Sequence, residues 1–270
     1  MKKQDFIKLA TLLILVIAAY IPTFAWMIQR WTVADTYYSH GFLVPLVSAF
    51  LIWSMRSKLS ALEIKPISLG WVFFLSALLV HLVATFFRVS FVSGFSLIVV
   101  LMSMVLMLLG KGYLKKLLFP ILFLGFMVPL PMVVIANLSF RLKLFAAQIS
   151  TFIINRLGVP AIREGSVIRT MHSTLMVEDP CSGIRSLVAL IALGALMAYF
   201  SNISKSRKTI LFLSSIPIAI STNIIRIISL SLVSEIYGEK YATGLFHDTM
   251  GILVFVFAFA GLAIVGKLLE

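Results

Sequence analysis

Apolar residues run along this chain in blocks of about 20, separated by short polar connections, and these blocks set the expected architecture. An α-helix needs roughly 20 mostly apolar residues to cross about 30 Å of hydrocarbon. Blocks of that kind cover Phe6 to Ile28, Gly41 to Met55 with some flanking sequence, Ser68 to Phe87, Val89 to Leu109 and Tyr113 to Ile135. Three more cover Ser182 to Phe200, Thr209 to Ile236 and Thr249 to Leu268. The pattern predicts an all-α polytopic membrane protein, a bundle of about eight transmembrane helices.

One stretch departs from this rhythm. Between Asn137 and Leu157 the polar residues Asn137, Arg141, Gln148, Thr151 and Asn155 recur at helical spacing, giving one polar stripe on an otherwise apolar helix. The expectation is an interfacial helix in the outer leaflet, the alternative being a further span with a buried polar seam. From Gly158 to Glu178 apolar and polar residues alternate loosely around Glu164-Gly165, which predicts a short extracytoplasmic β-hairpin.

Composition strengthens the membrane assignment, with 61% hydrophobic and only 12% charged residues. No polar stretch is long enough for a second folded unit, so residues 1–270 are expected to form a single domain. The formal charge of +13 does not indicate nucleic acid, because the basic residues fall in short clusters between apolar blocks and form no basic face. Lys2, Lys3 and Lys8, then Arg56, Lys58 and Lys65, then Lys111, Lys115 and Lys116, then Lys205, Arg207 and Lys208 occupy alternate connections. The positive-inside rule makes those clusters cytoplasmic, with both termini inside. The first block lacks a clear cleavage site and is expected to be retained as a span.

Little in the sequence can carry chemistry, and what can is concentrated on the outer side of this topology. Cys181, the single cysteine, precedes the sixth span in Pro180-Cys181-Ser182-Gly183-Ile184-Arg185, where a helix N-terminus favours a thiolate. Packing is the competing role for a lone membrane cysteine. Arg226 lies about 17 residues, roughly 25 Å, into the span that begins near Thr209, a costly depth for a cation unless it has a function or snorkels to headgroups. Asn223 sits one turn earlier on the same face. His247 opens the last span from outside, and an imidazole there can take a proton from a thiol and return it to a leaving amine. His40, beside Tyr37 and Tyr38 at the outer boundary, is read as a substrate-channel or support residue, with an interfacial aromatic belt as the alternative. His172 falls in the expected hairpin with no visible partner. Neither an HExxH motif nor paired Cys/His spacing is present, and no metal or other cofactor is expected.

Four motifs in order carry a family resemblance: Tyr38-Ser39-His40-Gly41-Phe42-Leu43-Val44-Pro45, Cys181-Ser182-Gly183-Ile184-Arg185-Ser186, Asn223-Ile224-Ile225-Arg226 and His247-Asp248-Thr249-Met250-Gly251. Together they resemble the exosortase/archaeosortase family from the second span to the C-terminus. Asp179-Pro180 departs from the small residues commoner there, which bears on subtype. The resemblance implies a membrane-embedded cysteine peptidase or transpeptidase. Its partners would be membrane-anchored proteins bearing a C-terminal sorting signal, a short motif followed by one transmembrane helix and a basic tail, as in PEP-CTERM proteins. It further implies Cys181 as nucleophile, His247 as acid and base, and Arg226 as the oxyanion-stabilising cation, at the outer face of the cytoplasmic (inner) membrane. The acceptor nucleophile is left open. Arg185, four residues after Cys181, could serve in place of Arg226 on physical grounds, and the resemblance favours Arg226. The competing class is a membrane transporter or lipid carrier in which Arg226 binds an anionic substrate.

Overall fold

The structure is a computed structural model that describes residues 3–33, 36–177, 183–242 and 245–270. The chain forms two compact units, residues 1–131 and 132–270. It is a multi-pass helical membrane protein. Among the described residues, five helices are long and apolar enough to span a bilayer, and six if one bent pair counts as a single span.

The first unit begins with that bent pair, α1 (Lys3–Ala19) and α2 (Ile21–Thr32), which meet at 64°. Pro22 brings no N–H to the helical ladder at this break. The break is held by a buried polar network. His81 Nε2 lies 3.2 Å from the Ala19 carbonyl, which can only accept, so Nε2 carries the ring proton. Nδ1 then accepts from Ser93 Oγ at 2.7 Å, and Thr23 donates to Ser93 Oγ at 2.6 Å. Tyr20 stacks on the His81 ring at 3.8 Å and donates to Ser96 Oγ at 2.8 Å. Ser96 in turn donates to the Ser93 carbonyl. Every hydroxyl proton in the network has an acceptor, as groups shielded from water require.

Next come α3 (Leu43–Ser54), entered through a 3-10 turn at Ser39–Phe42, and the short α4 (Arg56–Ser60). The long pair α5 (Leu69–Phe86) and α6 (Ser90–Leu108) follows, then α7 (Lys111–Phe123). Ile98, Val105, Leu109, Tyr113, Leu117 and Ile121 form a shared core between α6 and α7. The expected span Tyr113 to Ile135 is not one helix: α7 gives way to a 3-10 turn at Leu124–Met127, and Val128 is extended. Pro129 and Pro131 account for this, because proline lacks an N–H and turns the preceding residue away from helical geometry.

The second unit opens with α8 (Met132–Arg156), which takes in the whole polar stripe expected to lie in the interface. By length and composition α8 can cross a membrane. Two residues of the stripe are met locally. Thr151 donates to the Ala147 carbonyl, while Asn155 donates to the Ala161 carbonyl at 2.8 Å and accepts from the Ala161 N–H at 2.9 Å. Asn137, Arg141 and Gln148 are exposed.

The expected hairpin is present, with its turn at Gly165 in the left-handed region, and gains a third strand. Strands β1 (Ile162–Glu164), β2 (Val167–Arg169) and β3 (Thr174–Met176) form an antiparallel sheet in sequence order. Ile168 and Leu175 of the sheet, with Val177 just after it, pack with Ala147 and Ile154 of α8 and with Ile224, Ile227 and Ile228 further along the chain. Then follow α9 (Ile184–Phe200), α10 (Lys205–Tyr237), the single turn α11 (Glu239–Ala242) and α12 (Leu245–Leu269). Leu187, Leu190, Leu211, Ala219, Ala258 and Leu262 knit α9, α10 and α12 into one core.

Candidate active site

The 33 residues of α10 rise about 50 Å at 1.5 Å each, well beyond the roughly 30 Å of a hydrocarbon core. It starts after the extended Ser204 and stops at Gly238, whose φ of +96° no other residue adopts readily. Its faces have different neighbours. Ile224, Ile227 and Ile228 receive the sheet, while Asn223 and Arg226, one turn apart, carry the polar groups expected at the site.

Asn223 is buried, 3% exposed, against the start of α9. Gly183, the residue that leads into α9, has φ +80°. A methyl group built on it would lie 2.8 Å from Cγ of Asn223 and 2.9 Å from Nδ2. Glycine is therefore required twice over, by the left-handed backbone and by the carboxamide against it. Leu142, Ala146, Gly183, Leu187, Ala219, Ile220 and Asn223 surround a void of about 10 Å³, room for about one water. Cys181 lies two positions before Gly183 in sequence and is outside the described residues.

Arg226 is half-buried and approaches α12. Its Nη2 would be 4.0 Å from a methyl group built on Gly251. His247 is in the first turn of α12, four residues before Gly251. Arg185 stands in the first turn of α9 and is also half-buried. The second unit therefore gathers one turn of α10, Asn223 to Arg226, with the glycines that lie two residues after Cys181 and four after His247.

Tyr38 and His40 belong to the first unit, where the structure gives them fastening contacts. The Tyr38 hydroxyl accepts from the Leu130 N–H at 3.0 Å, and its ring lies 5.9 Å from that of His40. His40 hydrogen-bonds the Phe126 backbone, and its Nε2 is buried with no hydrogen-bond partner among the described residues. Nearby, Trp31 Nε1 donates to the Met127 carbonyl at 2.9 Å. A methyl group on Gly41 would fall inside the Trp31 ring, 2.3 Å from Nε1, which explains the glycine that follows His40.

Sequence reasoning passed over Glu235. Its carboxylate accepts from the Thr170 hydroxyl at 2.5 Å and from the His172 N–H at 3.0 Å, tying the sheet to α10. The partner missing for His172 is thus a backbone contact, 63 residues away, and no local pattern signals it. Among the described residues, no three His, Cys, Asp or Glu side chains are grouped as a metal site would need.

No curated protein and no solved structure matches this chain. The family profile for transmembrane exosortases matches residues 31–264, nearly the whole length and across both units. The chain accordingly belongs to the transmembrane exosortases, in general membrane sorting transpeptidases of the cysteine type.

Proposed function

We propose that this protein cleaves C-terminal sorting signals from exported, membrane-anchored proteins through a thioester on Cys181. The observation that carries the proposal is the convergence of two separate chain segments on one turn of α10. Gly183 packs on Asn223, and Gly251 lies beside Arg226. A nucleophile two residues from the first glycine and an acid/base one turn from the second would share the neighbourhood of the Arg226 guanidinium.

In this mechanism the Cys181 thiolate adds to the scissile carbonyl, and the resulting oxyanion draws the two-pronged guanidinium of Arg226. The tetrahedral intermediate collapses by expelling the amine, which takes a proton from the His247 imidazolium, and a thioester remains. Water or an acceptor amine then attacks the thioester while neutral His247 removes its proton. Thiolate departs, and the site returns to its starting charge. Arg185, Asn223, His40 and Tyr38 are supporting residues. No cofactor takes part in this scheme.

The family match runs through both units, which supports one functional domain over residues 1–270. The location proposed is the cytoplasmic (inner) membrane, with both termini inside and the thiol at the outer face. The deciding experiment is Cys181→Ala expressed with a substrate that ends in a short motif, a transmembrane helix and a basic tail. Alanine keeps a small apolar group and removes the thiol, so processing should stop while the amount of membrane-inserted protein holds. Unchanged cleavage by the alanine variant would remove Cys181 from the chemistry.

A further inference from the structure

Glu235 lies 30 positions after Lys205 on α10, about 45 Å along the helix axis, so it stands beyond a bilayer measured from that basic end. There its carboxylate meets the loop Thr170–Ser173 that joins β2 to β3. The Thr170 N–H donates to the Ser173 carbonyl at 2.9 Å and closes the loop. The Thr170 hydroxyl spends its one proton on Glu235 Oε2, and Ser173 Oγ, 2.8 Å away, donates to Thr170 in turn. The His172 N–H supplies the second donor to the same carboxylate oxygen. Charge-assisted bonds of this kind are roughly twice as strong as neutral ones, and the pair fixes the loop in both position and orientation.

From this loop the chain runs along β3 to Val177, which is 1% exposed and donates to the Ser166 carbonyl at 3.0 Å. Six residues later it reaches Gly183, seated on Asn223. Both ends of the segment that contains Cys181 are therefore tied to α10, upstream through the sheet and Glu235 and downstream through Asn223.

We propose that Glu235 is a positioning residue for the nucleophile, holding the hairpin that delivers the upstream end of the Cys181 segment. This rests on Cys181 being the nucleophile. The single cysteine gives a readout that does not depend on activity, because a membrane-impermeant maleimide reports Cys181 alone.

The labelling rate is measured against pH in membranes containing the full-length protein, for wild type and for Glu235→Gln, Glu235→Ala, Thr170→Val and the Glu235→Ala/Thr170→Val double variant. Asn155→Ala serves as the control, since it loosens the same sheet where it meets α8. Glu235→Ala and Thr170→Val should each change the labelling rate about threefold or more and move its pH midpoint. The double variant should go no further than Glu235→Ala alone, because that substitution already removes the Thr170 contact together with the one from the His172 N–H. Glu235→Gln, which keeps an acceptor, should stay close to wild type, and Asn155→Ala should lower thermal stability without moving the midpoint.

Labelling of the Glu235 and Thr170 variants that matches wild type would overturn the proposal, as would additive effects or an equal shift in the Asn155 control. Should Glu235→Ala fail to reach the membrane, Thr170→Val decides on the same terms. Cys181→Ala, assayed alongside for substrate processing, judges the peptidase mechanism separately. Processing that survives this substitution would sink the mechanism, while the labelling series still decides the role of Glu235.

Discussion

Asn223 and Gly183 meet so closely that no side chain fits between them, with 2.8 Å left to the carboxamide carbon from a methyl group on the glycine. Gly183→Ala should therefore both strain a backbone at φ +80° and force α9 away from α10. The backbone part alone costs about 1–3 kcal/mol. The variant should show a lowered unfolding temperature in detergent and a large loss of processing. Asn223→Ala in the same chain should restore part of the stability but not the processing. An alanine at 183 that behaves like wild type in both assays would contradict the contact.

Arg226 and Arg185 are separated by geometry rather than by charge. If Arg226 grips an oxyanion through its planar fork, Arg226→Lys keeps the charge, loses the paired donors and should cut processing by about a hundredfold or more. Arg185→Lys should be milder. The measurement is substrate conversion normalised to inserted enzyme. A near-normal Arg226→Lys beside a dead Arg185→Lys would exchange the two assignments.

Asn155 behaves like a short piece of β-strand, giving one bond to the Ala161 backbone and receiving another. Asn155→Ala leaves that backbone without both partners and should cost about 1–3 kcal/mol. Limited proteolysis should then cut more rapidly between Leu157 and Ala161. Cleavage at the wild-type rate would show that water replaces the side chain at no cost.

His81 joins the Ala19 carbonyl at the α1–α2 break to the Ser93 hydroxyl. Replacement by leucine, close in volume but without ring nitrogens, strands both groups and should lower the unfolding temperature more than Leu79→Ala on the exposed side of the same helix. An equal or smaller drop for the leucine variant would count against a role in holding the break.

The basic clusters predict that impermeant labels reach positions near Tyr241 and not those near Ser204. The reverse pattern at both positions would move the proposed site to the cytoplasmic face.

Hydropathy found α5, α6, α10 and α12 because each is a nearly unbroken apolar run, and the alternating residues around Gly165 marked the first hairpin. It ran Tyr113 to Ile135 together because a sum over side chains gives no weight to the missing N–H groups of Pro129 and Pro131. Side-chain periodicity on α8 showed the polar stripe but not that Thr151 and Asn155 satisfy themselves on nearby backbone. Arg226, Asn223 and the glycine before α9 were legible as motifs. Glu235 was not, since one carboxylate near the end of an apolar helix looks solvated until the fold brings Thr170 to it from 65 positions away.

Because α10 carries Asn223, Arg226 and Glu235 on one rigid rod, their spacing is a matter of phase as well as reach. One residue gained or lost between Arg226 and Glu235 would swing the hairpin anchor by about 100° around the rod while shifting it only about 1.5 Å along it. The helix works like a camshaft, on which angular timing is harder to alter than length. Substitutions in this part of the chain should accordingly be tolerated better than insertions or deletions.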